Sequence, residues 1–304
     1  MTAAIEFAGV SKTYISQERI EALKDVSFAV SLGEVCGFLG PNGAGKTTSI
    51  GILMGFLFAD AGEVRVLDFA PGDVRAKEQI GFVPENFAFH KFLTGSKLLA
   101  LHLALSGRNV PDALGLIEGL LAQVGLAGYG SLRISRYSRG MVQRLGIAQA
   151  LIGDPQLLVL DEPASGLDPA GRKEVIGLVH SLKQAGKTVF FSSHILSDVE
   201  QICDRVVIID RGRLVRAGRL DELLRAGGRV EIVVDRLPEE AERAAVETGA
   251  EIGRGEHGIR LLVETGRKRE TVEALWATGC DIVRMNPIKD SLEDTFLRLV
   301  RGAS

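Results

Sequence analysis

The sequence predicts an α/β fold built on a parallel sheet, and three observations carry that expectation. Leu157-Leu158-Val159-Leu160 has no polar face, as a strand covered on both sides requires. Residues 157–209 then alternate strand and helix. A second apolar run, Val35-Cys36-Gly37-Phe38-Leu39, leads through a glycine-rich loop into Ile50, Leu53, Met54 and Leu57, spaced as on one face of a helix.

The elements follow in order. Ile5-Glu6-Phe7 and Val26-Ser27-Phe28-Ala29-Val30 read as half-buried strands, with Tyr14 in a loop between them. Gly62-Glu63-Val64-Arg65-Val66-Leu67 alternates as a strand, and Ile80-Gly81-Phe82-Val83 is a short one ending at Pro84-Glu85. Residues 94–130 carry leucines at helical spacing, broken at Gly107 and Pro111; His102 on that stripe reads as structural. A helix follows Tyr137-Ser138-Arg139-Gly140-Met141. Beyond it come helix 170–184, strand Thr188-Val189-Phe190-Phe191-Ser192, helix 195–203 and strand Arg205-Val206-Val207-Ile208-Ile209, then a turn at Asp210-Arg211-Gly212-Arg213. Composition shifts near residues 221–228, where Ala226-Gly227-Gly228 ends a linker. The remainder reads βαβαβα, with strands 230–234, 259–263 and 281–283 and helices 239–248, 269–277 and 291–300, the last opened by a capping box at Ser291-Leu292-Glu293-Asp294.

Composition sets bounds. The 304 residues, 46% hydrophobic and 25% charged, suit one large and one smaller domain with a sizeable core. A net charge of -3 gives no electrostatic case for nucleic acid or an anionic membrane surface. Cys36, Cys203 and Cys280 lie far apart in apolar, strand-like surroundings, which fits buried thiols rather than zinc or disulfides. No signal peptide is expected from the first residues, and no window of eighteen apolar residues predicts a membrane span.

The chemistry starts at Gly40-Pro41-Asn42-Gly43-Ala44-Gly45-Lys46-Thr47-Thr48, which fits G-x-x-x-x-G-K-[ST]. Glycines let backbone N–H groups approach phosphate oxygens, and a helix opening at Lys46 aims its free amides at the same anion. Lys46 reaches the β- and γ-phosphates, and the Thr47 hydroxyl suits a phosphate-bound Mg²⁺. Asp161, at the end of the apolar strand, is a candidate metal ligand, and Glu162 a candidate base for the attacking water.

With these motifs the sequence resembles the ATP-binding subunit of an ABC transporter, over residues 3–220. Ser138-Arg139-Gly140-Met141 followed by Val142-Gln143-Arg144 is similar to the signature that separates this family from other phosphate-loop proteins. The resemblance implies that Ser138 and Gly140 contact the γ-phosphate of a nucleotide held by a second subunit. It makes Ser165-Gly166-Leu167-Asp168 the D-loop, with Asp168 near the nucleotide, His194 the switch histidine, Tyr14 the aromatic that stacks on adenine, and Glu85 the counterpart of the Q-loop glutamine and a metal ligand. Arg139 and Met141 depart from Leu-Ser-Gly-Gly-Gln, and Glu85 puts an anion where a neutral amide is usual. Both departures, and the tail Ser291-Leu292-Glu293-Asp294-Thr295-Phe296-Leu297-Arg298-Leu299, resemble the bacterial type-2 exporter class.

The resemblance implies a P-loop ABC ATPase with a parallel-sheet core, an antiparallel β subdomain and a helical subdomain, plus a small α+β C-terminal domain. Residues 1–220 would be the ATPase, with a helical subdomain at about 86–153, and residues 221–304 an accessory domain. It implies ATP and Mg²⁺ as cofactors, a homodimer with two sandwiched nucleotides, and a separate transmembrane permease that holds the chain at the cytoplasmic face. The apolar helical segment 87–105, with Phe87, Phe89, Phe92 and Leu93, supplies candidate permease contacts or subdomain core. An ABC ATPase acting on nucleic acid or ribosomes is the alternative, with no basic patch, inserted coiled coil or second ATPase copy in its favour. A kinase or GTPase fits less well, since no Asn-Lys-x-Asp occurs.

Overall fold

The computed structural model describes residues 3–15, 19–225, 228–255, 258–288, 292–293 and 295–296. The chain divides into two units, Met1–Leu220 and one based on Asp221–Gly302. In chain order the first carries β1 (Ala3–Ile15), β2 (Arg19–Ser31), β3 (Val35–Leu39), α1 (Lys46–Leu53), β4 (Ala61–Val66), α2 (Val74–Lys77) and β5 (Ile80–Val83). It continues with α3 (Gly95–Leu105), α4 (Ala113–Gln123), α5 (Arg139–Ala150), β6 (Leu157–Leu160), α6 (Pro169–Gln184), β7 (Thr188–Ser193), α7 (Leu196–Ile202), β8 (Arg205–Asp210) and β9 (Arg213–Arg219).

Its centre is a six-stranded sheet of order β5-β6-β7-β3-β8-β9. β3, β6 and β7 are buried along their whole length, so their apolar runs have partners on both faces. The pairings among β5, β6, β7, β3 and β8 are parallel, and β9 closes the edge antiparallel to β8. A three-stranded antiparallel sheet, β2-β1-β4, contributes to the same core. Phe7 stacks on Phe28 with ring centroids 4.6 Å apart, and Phe38 meets Phe190 at 5.2 Å. Between β5 and β6 lie α3, α4 and α5.

Several sequence expectations change. The first two strands run much further than their apolar stretches, because the polar Lys12, Thr13 and Tyr14 pair with Leu23, Glu21 and Ile20 across the hairpin. Tyr14 therefore sits in a strand, not in a loop. α1 stops at Leu53 and Leu57 lies beyond it; Gly55, at φ +71°, takes the left-handed conformation that ends helices. Residues 87–94 are not helical: α3 opens only at Thr94, whose hydroxyl accepts from Lys97 N. β9 follows the Asp210–Arg213 turn in a stretch to which the sequence assigns no element, because its residues are nowhere fully buried and lack an apolar alternation. Cys203 ends α7 and Cys280 precedes β13, so only Cys36 lies in a strand, although all are buried and free.

The boundary between the units falls within α8 (Leu220–Arg225). The second unit then carries β10 (Arg229–Val234), α9 (Glu239–Glu247), β11 (Glu251–Gly255), β12 (Gly258–Glu264), α10 (Lys268–Ala277) and β13 (Ile282–Ile288). β11 was not expected; its Gly253 and Gly255 break the apolar alternation. From β10 to β13 the order is βαββαβ where the sequence predicts βαβαβ, with an all-antiparallel sheet of order β11-β12-β10-β13, and the described residues 292–293 and 295–296 of the expected last helix are helical. That is a split βαβ arrangement, with β12 between β10 and β11. Val230, Ile232, Val234, Leu261 and Val263 pack on Ala241, Ala245, Val272 and Leu275 to make its own core. Most of the expected helix 291–300, the Ser291 and Asp294 of its capping box, and Ala226-Gly227 of the linker lie outside the described residues.

Phe190 is 1% exposed at the centre of the parallel sheet. Phe190→Ala is expected to cost about 3–5 kcal/mol, read as a lower urea midpoint for the transition of the first unit.

Candidate nucleotide site

Three strand ends build the site. β3 runs into Gly40, β6 into Asp161 and β7 into His194, and these strands are sheet neighbours. In a parallel sheet their carboxyl ends open on one edge. There a cleft of about 640 Å³ is lined by Asn42, Gly43, Gly45, Lys46, Thr47, Thr48, Glu85, Glu162 and His194. Gly40, Ala44 and Asp161 are buried and do not line it.

The loop is braced from elements distant in sequence. Gly45 stands at φ +107°, and a Cβ there would come 2.6 Å from the Ala22 carbonyl oxygen of β2, so no other residue fits. Gly212 N, in the β8–β9 turn, donates to Ala44 O at 3.0 Å, and Lys24 N donates to Gly212 O at 2.7 Å.

Lys46 is buried. Its Nζ donates to Gly40 O at 2.7 Å and stands 3.3 Å from Glu162 Oε1. Glu162 Oε2 meets His194 Nδ1 at 2.8 Å. Glu162 N donates to Ser192 Oγ at 2.7 Å, and Ser192 Oγ donates to Asp161 Oδ1 at 2.6 Å. One serine thus ties both acids to β7. The bond to Ser192 also holds Glu162 at φ +49°, a left-handed conformation that costs a non-glycine residue about 1–3 kcal/mol. Burial pushes the Asp161 carboxyl above the usual carboxylate range. The negative charges of Glu85 and Glu162 push it the same way, against the Ser192 hydrogen bond and Lys46. Thr47, Glu85 and Asp161 offer hard oxygen donors of the kind a small divalent cation takes.

The remaining expected residues are placed differently. Tyr14 does not line the cleft but reaches its helix, with its hydroxyl 3.4 Å from Thr48 Oγ1. Ser138, Gly140 and Asp168 are not among the lining residues either. Ser138 Oγ accepts from Met141 N at 3.2 Å and caps α5; Asp168 Oδ1 accepts from Gly171 N at 3.2 Å and caps α6. Arg139 lies over the backbone of Gly166, where a Cβ would come 2.5 Å from its guanidinium carbon. Ser165 of the expected D-loop lines the cleft; sequence reading misses Arg19, Lys24 and Arg211, which also line it, and the bridging role of Ser192. Two serines ending the apolar run of β7 were the available signal for Ser192. Arg211 and Lys24 reach the cleft through sheet order and left no local one.

A glycine-rich loop opening a helix, with acids and a histidine at adjacent strand ends, defines a phosphate-loop nucleoside triphosphatase. Residues 23–165 match the family described as ABC transporter. Over 98% of its length the chain is 40% identical to an ABC transporter ATP-binding protein of Synechocystis sp., covering 84% of that protein. It is 39% identical to the Nod factor export ATP-binding protein I of Rhizobium etli, over 73% of this chain and 70% of that one. Among solved structures it is similar to the ATP-binding cassette MJ0796, in a dimeric post-hydrolysis state bound to ADP and Pi, with 26% identity, a TM-score of 0.64, and coverage of 71% of this chain and 98% of that one. The chain belongs to the ABC transporter ATP-binding proteins, and it binds and hydrolyses ATP as a transporter subunit.

The Asp161 shift makes stability pH-dependent. A carboxyl whose folded pKa is raised keeps its proton to higher pH in the folded chain than in the unfolded one. Its ionisation therefore lowers stability at neutral pH, and the penalty fades as pH falls toward its ordinary value of 3.8. In the absence of nucleotide and divalent cations, Asp161→Asn is expected to raise Tm at about pH 7, with a gain that shrinks toward about pH 4. Thermal melts of both proteins across that range check it.

Proposed function

We propose that the cleft binds ATP with Mg²⁺, that two copies of the chain close head to tail over two nucleotides, and that the closure drives a separate export permease. One observation carries this reading. Lys46, Glu162 and His194 form one line of contacts within a single cleft, whereas the helix start at Ser138 and Gly140 lies outside the lining of that cleft. A γ-phosphate contact from Ser138 and Gly140 must then come from a second copy.

In this reading the amides of Asn42–Thr48 and the Lys46 ammonium bind the phosphates, and Tyr14 stacks on adenine from the hairpin. Thr47, Asp161 and Glu85 would hold Mg²⁺, which neutralises charge that builds on the phosphate oxygens. The donor set suits that ion: the Asp161 carboxyl is strained by burial and by two neighbouring anions, and a divalent cation relieves both. Among the described residues no group of three His, Cys, Asp or Glu side chains could hold a metal ion, so phosphate and water oxygens complete the shell. Glu162 takes a proton from the water attacking the γ-phosphorus, the bond to the β-phosphate oxygen breaks, and ADP leaves with phosphate. His194 contacts the γ-phosphate and orients that water. Asp168 lies beside the partner's site.

Residues 1–220 are the ATPase and 221–304 an accessory domain. No helix among the described residues is long and apolar enough to cross a membrane, which leaves the crossing to the permease. The permease docks at an apolar groove of about 390 Å³ lined by Phe82, Pro84, Phe87, Phe89, Leu98 and Leu101, and holds the chain at the cytoplasmic face. Phe92 stacks on His90 with ring centroids 5.4 Å apart and, at 71% exposed, leaves most of its surface to a partner. The similarity to a Nod factor export protein supports the outward direction.

Lys46→Ala is expected to abolish nucleotide binding, measured by titration with a fluorescent ATP analogue; unchanged affinity would remove the phosphate-loop assignment. Glu162→Gln keeps the side chain's shape but cannot accept a proton, so turnover should fall about 10²–10⁴-fold while ATP binding survives. Light scattering on that variant with ATP should find a dimer, and ATP-dependent dimers that also require intact Ser138 would support the shared site.

A further inference from the structure

Four residues beyond His194, Asp198 is 4% exposed in the first turn of α7. Arg172 of α6 holds it with a fork: Nε stands 2.8 Å and 2.9 Å from the carboxylate oxygens, and Nη2 stands 2.7 Å from Oδ1. The same Nη2 donates to Ser197 Oγ at 2.8 Å. α7 has no side-chain N-cap of its own, since Ile195 occupies that position. Two contacts hold the entry of α7 and so the direction in which His194 leaves β7: the Ser193 hydroxyl accepts from Ile195 N at 2.9 Å, and this guanidinium fixes the first turn from outside. An arginine bound in a planar fork fixes angle as well as distance, which a lysine does not.

The other side of the same turn of α6 meets the second half-site. Gly171 packs against the first turn of α5: a Cβ on Gly140 would stand 3.6 Å from Gly171 Cα. Asp168 caps the turn through Gly171 N. Two consecutive residues, Gly171 and Arg172, therefore touch the Gly140 helix start on one side and the α7 turn behind His194 on the other.

We infer that Arg172 is a positioning residue for ATP hydrolysis: through Asp198 and Ser197 it sets His194 against Glu162, and through its neighbour Gly171 it ties that setting to the Ser138–Gly140 helix start. The inference rests on the proposed role of His194 at the γ-phosphate. Its action is on the rate step, not on nucleotide binding, because neither Arg172 nor Asp198 lines the cleft.

The test is steady-state MgATP hydrolysis by the full chain in four variants: Arg172→Gln, the double variant Arg172→Gln/Asp198→Asn, His194→Ala, and Arg172→Gln/His194→Ala. The Arg172→Gln/Asp198→Asn pair removes both charges together, so no buried carboxylate is left uncompensated and a near-native Tm is the folding control. A misplaced histidine should lower kcat about 10- to 100-fold in Arg172→Gln and in Arg172→Gln/Asp198→Asn, with KM for ATP within about twofold. Arg172→Gln/His194→Ala should be no slower than His194→Ala alone, since both changes remove one function. A wild-type kcat in Arg172→Gln/Asp198→Asn, a loss confined to KM, or multiplicative losses on combination with His194→Ala would overturn the inference. An undiminished kcat in His194→Ala would instead overturn the role of His194 itself, and the inference with it.

Discussion

A buried ammonium must be met by oxygen, and Lys46 meets two. The Gly40 carbonyl and the Glu162 carboxylate hold it in the protein alone, and the same carboxylate holds His194 through its other oxygen. Much of the site is arranged around this requirement. Water screens little at this depth, so in the proposed reading any movement of Lys46 toward a phosphate would weaken its hold on Glu162 and free a carboxylate oxygen. Lys46 and His194 are thus electrostatically linked through one carboxylate.

The parallel sheet makes that link possible. Residues as distant as Lys46, Asp161 and His194 become neighbours because β6, β7 and β3 lie side by side and end on one edge. Their apolar runs are buried on both faces, which fixes the depth at which each strand stops. Ser192 completes the frame by spanning β7 to the end of β6 with two hydrogen bonds. Polar chemistry is in this way carried by strands that are themselves held by apolar packing.

The parts of this design visible in the sequence are those with a local signature. The phosphate loop, the strand ending at Asp161-Glu162 and the helix start at Ser138 each combine a residue pattern with a change of hydrophobic period. The order of the strands has no such signature, and so the approach of Arg211 and Lys24 to the loop was invisible. β9 and β11 escape for a related reason: edge strands need little apolar surface, and both carry glycine. The hairpin of β1 and β2 was cut short because its outer half is held by cross-strand pairing rather than by burial. The apolar content of the aromatic run after Glu85 predicts helix, whereas Phe87 packs on Phe89, 5.1 Å away, and on Gly146 of α5 without helical spacing.

One of those rings gives α5 a mechanical character. Phe87 lies against the backbone of Gly146, where a Cβ would come within 2.7 Å of it. Gly146 is two turns along the helix that Ser138 caps, roughly 12 Å from its start at 1.5 Å per residue. The helix is a rod with a fulcrum. A tilt of about 10° imposed at Phe87 swings the Ser138 end through roughly 2 Å, close to the difference between a formed and a broken hydrogen bond. Leverage of that size needs no unfolding and no hinge, only a stiff rod pressed off-centre.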